Sequence, residues 1–346
     1  MSTEAPDLLS HGAKDDSRRT RRTYLVLCLG TVSVAFAALA LGHGDLHDPQ
    51  LRDTLLSLRA VRIAAAFLTG AALAVGGVLV QGLFRNPLAS PSVLGTTAGA
   101  SLGGQLALLL FQVVLAGHAP GRLPPALLLP LGCLAGALLS LIVVLVIAER
   151  SGDLLVLLLA GFILSSLLLS IGDFIISLSQ QTWDLGRAMV AFVLGGLNGT
   201  GVQQVVIATP LVLVAVLAAW LWGRPLDLML SGEEEAASLG VDVAQVRLWT
   251  VIWASVLTGA AVSVGGNVGF VGLIVPHALR SFVGVEHRKL VPACAIAGGA
   301  FVVLCDLISR AVPSQSEIPL SVVTGLFGAP VFLSLLIRMS RGQAHV

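Results

Sequence analysis

The chain has 346 residues, 56% of them hydrophobic and only 11% charged, with a formal net charge of +1. Soluble domains carry about 25% charged residues, so this composition, sustained along the chain, marks an integral membrane protein. The near-neutral balance argues against a nucleic-acid binder, which would show a basic patch or stripe.

Residues 1–23 are polar, carry Arg18, Arg19, Arg21 and Arg22, and read as a disordered tail. The apolar run that starts at Tyr24 is either a first membrane helix with a basic flank or a twin-arginine or secretory signal with Ala38-Leu39-Ala40 as cleavage site. The number of apolar runs that follow favours the anchor. A crossing helix needs about 20 mostly apolar residues. Candidate spans are 24–42, 60–81, 92–116, 124–148, 154–179, 188–222, 246–266, 271–284, 290–311 and 319–339. The expected fold is therefore an all-α integral membrane protein with about ten transmembrane helices in a single domain, 24–340, followed by a short tail, 341–346. The sixth span is too long for one straight crossing and is expected to start irregularly near Gly195–Gly201. The eighth is short and is expected to break at Pro276. Interrupted segments of this kind survive only inside protein or beside a water-filled cavity, and in transporters they often lie near the pathway.

Abundant glycine, 38 residues, suits close helix approach. Cys28, Cys133, Cys294 and Cys305 all lie inside apolar runs without CxxC or zinc-ligand spacing, so no metal site is expected. Asn198-Gly199-Thr200 matches a glycosylation sequon but sits at an apolar span and carries little weight.

With the N-terminus inside, 14 of the 20 Lys and Arg residues fall on the inner side. The outer six are Arg52, Arg59, Arg62, Arg122, Arg187 and Arg310. This is the direction of the positive-inside rule, and it places both termini in the cytoplasm. The loop 82–91, within "LFRNPLASPSVLG", then faces the cytoplasm, as does "GRPLDLMLSGEEEAASLGVDVAQVRL", 223–248. In the latter, Ser231 is expected to cap a short helix at Glu233–Leu239, Gly240 to stop it, and Val241–Gln245 to begin another. Two such helices, at about 226–245, would form a docking surface.

No phosphate-binding GxxxxGK[ST] loop, HExxH, EF-hand or nucleophile elbow is present, so ATP, if used, binds elsewhere. An ion-driven carrier would need intramembrane carboxylates, and the candidates are Asp173, Asp306 and Glu317. Asp306 and Arg310 stand at i and i+4 and are expected to pair. Asp173 either lines a polar pathway or bonds to Ser170 or Ser177.

Three stretches stand together: "FRNPLASPSVLGTTAGASLG" (84–103), "SGEEEAASLGV" (231–241) and the run 266–336, which contains "GFVGLIVPHALR" and "EIPLSVVTGLFGAPVF". Over 24–340 the chain resembles the FecCD family, the permease subunits of type II ABC importers for iron–siderophore complexes, haem and vitamin B12. The resemblance implies a permease that pairs with a second copy or paralogue, two ATP-binding subunits below and a periplasmic or lipid-anchored binding protein above. ATP and magnesium would be held by the partner ATPase and no cofactor by this chain, which would sit in the bacterial cytoplasmic membrane and carry out no bond chemistry. Iron–siderophore is the favoured cargo, with haem and vitamin B12 as alternatives; the rival reading is an ion-coupled carrier using Asp173.

By that resemblance, Gly232, Glu233, Ala236, Leu239 and Gly240 fall on the coupling-helix pattern that fits a groove on each ATPase. Arg59 and Arg310 match arginines that meet acidic residues of the binding protein, although interfacial snorkelling and the Asp306 pair also account for them. Asn86 and Leu88 match residues that narrow the cytoplasmic exit. Where vitamin B12 importers have small hydroxyl residues near that exit, "GDLLVLLLAG" (152–161) is apolar, so Leu154 and Leu155 are expected to form a hydrophobic constriction. The family's frequent tryptophan near the sixth helix is replaced by Phe192.

Overall fold

The computed structural model describes residues 5–42, 48–115, 125–151, 154–311 and 317–343. Every regular element among them is helical: α1 (Ala5–Ala40), α2 (Pro49–Leu83), a 3-10 turn (Pro91–Leu94), α3 (Thr96–Leu115), α4 (Pro125–Ser151), α5 (Leu154–Ser179), α6 (Trp183–Leu194), α7 (Val202–Leu221), α8 (Gly223–Leu230), α9 (Glu233–Ser238), α10 (Val243–Gly265), α11 (Val271–Val283), α12 (His287–Ala311) and α13 (Leu320–Gln343). By length and composition, α1, α2, α4, α5, α7, α10 and α12 can each cross a membrane. The 20-residue α3 and the apolar α11 and α13 occupy the other three expected spans.

Of three boundaries, the first and third differ from expectation and the second falls where it was expected. Helix α1 already begins at Ala5, inside the segment read as a disordered tail. The span 188–222 divides into α6 and α7, because Gly195 (φ 72°) and Gly199 (φ 95°) adopt left-handed backbone that a helix cannot continue through. Pro276 does not break α11, which runs unbroken through it. A proline cannot donate to the carbonyl four residues earlier. Here the Gln81 side-chain amide, on the neighbouring α2, donates to that Gly272 carbonyl at 3.0 Å. The same substitution occurs in α12: Pro292 leaves the Arg288 carbonyl free, and the Trp220 indole donates to it at 3.2 Å. Side chains from neighbouring helices thus restore bonds that lipid could not supply.

The bundle is built around α2. In its most apolar stretch 78% of residues are buried, against 6% for α1 and 17% for α5. A helix apolar on every side belongs inside, and the Ala65–Ala66 and Ala71–Val75 stretches of α2 are small enough to be packed from all directions. Glycines set the closest crossings. A Cβ on Gly70 would lie 2.0 Å from the Gly298 carbonyl of α12, and one on Gly77 would lie 2.0 Å from the Gly272 carbonyl of α11. Helices α3 and α4 meet through two facing glycine pairs, Gly99 with Gly136 and Gly103 with Gly132, each spaced by four residues on its own helix. Antiparallel packing of α2 and α12 leaves the bundle with an Arg62 end and, opposite, a Glu233 end.

Candidate functional site

At the Arg62 end, one guanidinium joins four segments. Arg62, one turn inside the apolar part of α2, makes a fork onto Asp306 of α12, with Nε and Nη2 at 2.9 and 2.8 Å from Oδ1. Its Nη1 and Nη2 also reach Glu317, just before α13, at 3.0 and 2.5 Å. Nη1 further donates to the Asn198 side-chain oxygen at 2.7 Å. Asp306 is 2% exposed, so desolvation of its carboxylate must be offset by two cations. The second is Arg310, 3.1 Å away on the next turn of α12, the pairing expected from the i, i+4 spacing. Burial by itself raises the Glu317 pKa, but the hydrogen bonds from Arg62 outweigh it and hold this carboxyl below the ordinary carboxylate range.

Arg59 and Arg310 are only 5% and 8% exposed. Arg59 lies one turn before Arg62 and donates to the Leu39, Ala40 and Gly42 carbonyls, closing the C-terminal end of α1. Both arginines stand at the same end as Arg62, but in the single chain their guanidinia serve the fold and are not presented to solvent.

The linker Gly195–Gly201 is tied down next to this network. The Leu320 amide, at the start of α13, donates to the Gly195 carbonyl at 2.9 Å, and Thr200 Oγ1 donates to the Val264 carbonyl at 3.1 Å. The Ser321 hydroxyl donates to the Leu194 carbonyl. Between linker and network lies a cavity of about 330 Å³, with Arg62, Asn198, Asp306 and Glu317 in its polar wall and Phe192 and Leu129 in its apolar wall. The interrupted sixth span therefore borders a cavity, the setting that tolerates irregular backbone at membrane depth.

At the Glu233 end, the short helices differ from the expected pair. They are α8 and α9, at 223–230 and 233–238, and both precede the segment expected to form the second one; Val243 already opens the long α10, capped by Asp242, whose side chain accepts from the Gln245 amide. Ser231 does not cap α9. Gly232 (φ 139°) occupies that position, a backbone open to glycine, and Gly240 (φ 85°) follows the end of α9 as expected. Ala236 is fully buried and anchors α9, whereas Leu239 is 63% exposed at its tip. Glu233 pairs with Arg247 of α10 at 2.9 Å, with the two side chains 39% and 45% exposed.

Beneath α8 lies a pair that the sequence reading did not single out. Asp227 Oδ1 accepts from the His287 backbone amide at 3.0 Å and stands 2.6 Å from His287 Nδ1. The buried imidazole also packs so tightly against α2 that a Cβ on Gly82 would lie 2.3 Å from its Nε2. One side chain thus links α8, the start of α12 and the end of α2. Three residues after that contact begins the turn with Arg85 (φ 48°), where the Asn86 side-chain oxygen accepts from the Leu88 amide at 2.9 Å. Asn86 is exposed and Leu88 half-buried. Leu154 and Leu155 open α5, and their side chains lie outside the described residues.

Helix α5 presents a further pattern. Ser166, Ser170, Asp173 and Ser177 are all exposed, at spacings of four, three and four residues, and so share one face of a mostly apolar helix. Ser170 donates to the Ser166 carbonyl, within its own helix, and Asp173 stands exposed in the middle of the stripe.

A helical bundle with a buried charge network, an interrupted crossing beside a cavity and short helices across one end defines a multi-pass membrane transport protein. The FecCD transport family matches residues 22–338, and the chain belongs to it as the permease subunit of an ABC importer. The cobalamin import permease BtuC of Halobacterium salinarum is 39% identical over 282 residues, 81% of this chain and 72% of that protein. The Fe(3+) dicitrate transport permease FecD of Escherichia coli is 36% identical over 315 residues, 91% and 94% of the two chains. A solved structure described as an inward-facing metal-chelate type ABC transporter superposes with a TM-score of 0.79 at 30% identity, covering 91% of this chain and 98% of that one. Family membership removes the rival reading of an ion-coupled carrier. An importer permease of this class works with an ATPase and a binding protein, and it is not itself catalytic.

Proposed function

We propose that this chain forms the wall and gates of an ATP-driven importer for metal chelates, with iron–siderophore complexes as cargo, and that it works by alternating access in a pair of permease chains. The observation that supports this most is the polar stripe of α5. A carboxylate and three hydroxyls aligned on one face of a crossing helix are costly against lipid, but suit a polar path between two chains. Relatives that import ferric dicitrate and cobalamin support the chelate class.

In this reading both termini are cytoplasmic. The Glu233 end docks the ATPase, where magnesium and ATP are held, through Gly232, Glu233, Ala236, Leu239 and Gly240. Exposed Leu239 on a buried Ala236 anchor favours a rigid knob that fits a groove. Asn86, Leu88, Leu154 and Leu155 form the cytoplasmic gate. The binding protein seats on the rim around Arg59 and Arg310, whose bonds to the α1 end and to Asp306 fix the shape of that rim.

The test is uptake into proteoliposomes that hold this permease with its ATPase and binding protein. ATP-dependent accumulation of a ferric siderophore is expected, and Asp173→Leu should reduce it at unchanged ATPase assembly. Accumulation of haemin or cobalamin in its place would overturn the cargo assignment, and full transport by Asp173→Leu would remove the α5 path.

A further inference from the structure

A cleft of about 670 Å³ opens between α1 and α11, lined by Arg18, Arg19, Arg22, Val26, Leu279 and Phe282 among others. Its volume is in the range of small-molecule sites, about 300–1,000 Å³. Its walls divide by chemistry. The three arginines gather where α1 enters its apolar stretch, and among the residues whose side chains the structure describes none lining the cleft is acidic. Below them the walls are apolar, with Val26 and Phe282 largely exposed. The cleft is also held open by fixed contacts. Arg19 Nη2 donates to the Ser281 carbonyl near the end of α11 at 2.6 Å, and the Tyr24 hydroxyl donates to the Lys289 carbonyl of α12 at 2.6 Å. Helix α1 is otherwise peripheral, with 6% of its most apolar stretch buried, a position that would set the cleft against the bilayer.

We infer that this cleft binds an anionic phospholipid of the adjacent leaflet, its phosphate between Arg18 and Arg22 and its upper acyl chain along Val26 and Phe282. Cations above an apolar groove match a charged headgroup attached to a hydrocarbon chain, and basic pockets between membrane helices have this preference. A free phosphate would satisfy the arginines but leave the apolar wall uncovered. The bound lipid would fill the gap between the peripheral α1 and the short α11, which reaches the α2 core at Gly77. The inference needs only a membrane protein and holds whatever the cargo.

The experiment measures lipid retained by the purified full-length chain, by native mass spectrometry after exchange into phosphatidylglycerol or phosphatidylcholine. A clear preference for phosphatidylglycerol is expected, falling about fivefold for each arginine neutralised in Arg18→Gln, Arg19→Gln and Arg22→Gln. Arg52→Gln, an exposed arginine on α2, should keep the preference. Phe282→Ser, with all arginines intact, should weaken phosphatidylglycerol retention, and it keeps the test decisive if the triple variant fails to fold. No preference in the wild type, or full retention by the triple variant, overturns the site. Complete displacement of the lipid by inorganic phosphate overturns the lipid as occupant and leaves a soluble-anion site.

Discussion

The two ends of the bundle are held by opposite means. At the Arg62 end, a guanidinium with two carboxylates, an amide and a second arginine lies at the edge of the core, and Asp306 is nearly sealed from solvent. At the Glu233 end the corresponding ion pair, Glu233 with Arg247, is partly open to solvent, and the Asp227–His287 contact reaches inward. Breaking a buried network is costly because it strands charge, whereas breaking an exposed pair costs little. The first end therefore keeps four segments together, and the second leaves its ion pair accessible, as the proposed docking of the ATPase requires.

The largest effect that separates the ends should come from Arg62→Ala. It strands Asp306 beside Arg310 alone and leaves Glu317 and Asn198 without their shared donor. The expected loss is about 3–5 kcal/mol of unfolding free energy, read as a lower midpoint in thermal unfolding of the detergent-solubilised chain. Arg62→Lys retains the charge but not the fork and should fall between. If Arg62→Ala unfolds like the wild type, the network does not hold this end.

Next comes Asp227→Ala. It removes the acceptor shared by the His287 amide and ring, at an expected cost of about 1–3 kcal/mol for the buried donor left behind. Since His287 touches α2 at Gly82, close to the Asn86 turn, the same change should lower cargo moved per ATP hydrolysed more than it lowers hydrolysis. An equal fall in both would make the contact merely structural.

A smaller effect should follow from pH. The Glu317 pKa is lowered in the folded chain, so its contribution is fully present above the ordinary value of 4.5 and is lost as pH falls through the lower, folded value. Unfolding midpoints measured downward from pH 5 should therefore drop more steeply in the wild type than in Glu317→Gln. Parallel curves would mean that Glu317 is not held by Arg62.

The apolar helices were legible because apolar runs of crossing length are local, and so was the break at Gly195–Gly201, where glycines cluster within a span of excessive length. Asp306 with Arg310 was legible for the same reason, being one turn apart. Arg62 was not: Asp306 lies 244 positions away in the chain, and helix spacing says nothing about partners on other helices. The available signal was that Arg59, Arg62, Asp306, Arg310 and Glu317 all fall at one end of their spans, where cations and acids must share a small area. Pro276 misled because the compensating donor, Gln81, belongs to another helix. The position of the second short helix was misjudged because α8 continues almost directly from α7 and carries no separating turn of its own.

The smallest change in stability should come from Glu233→Arg, yet it tests the Glu233 end most sharply. Both members of the pair are exposed, so its loss is expected to cost about 0.2–1 kcal/mol. If Glu233 faces the ATPase groove, the variant should fold normally but lose ATPase binding in pull-down from detergent. The double variant Glu233→Arg/Arg247→Glu restores an ion pair with its polarity reversed. Continued loss of binding in the double variant would assign the docking contact to the carboxylate at position 233. Recovery would show that the pair matters only for holding α9 against α10, and the difference between the two ends would then be one of exposure and not of role.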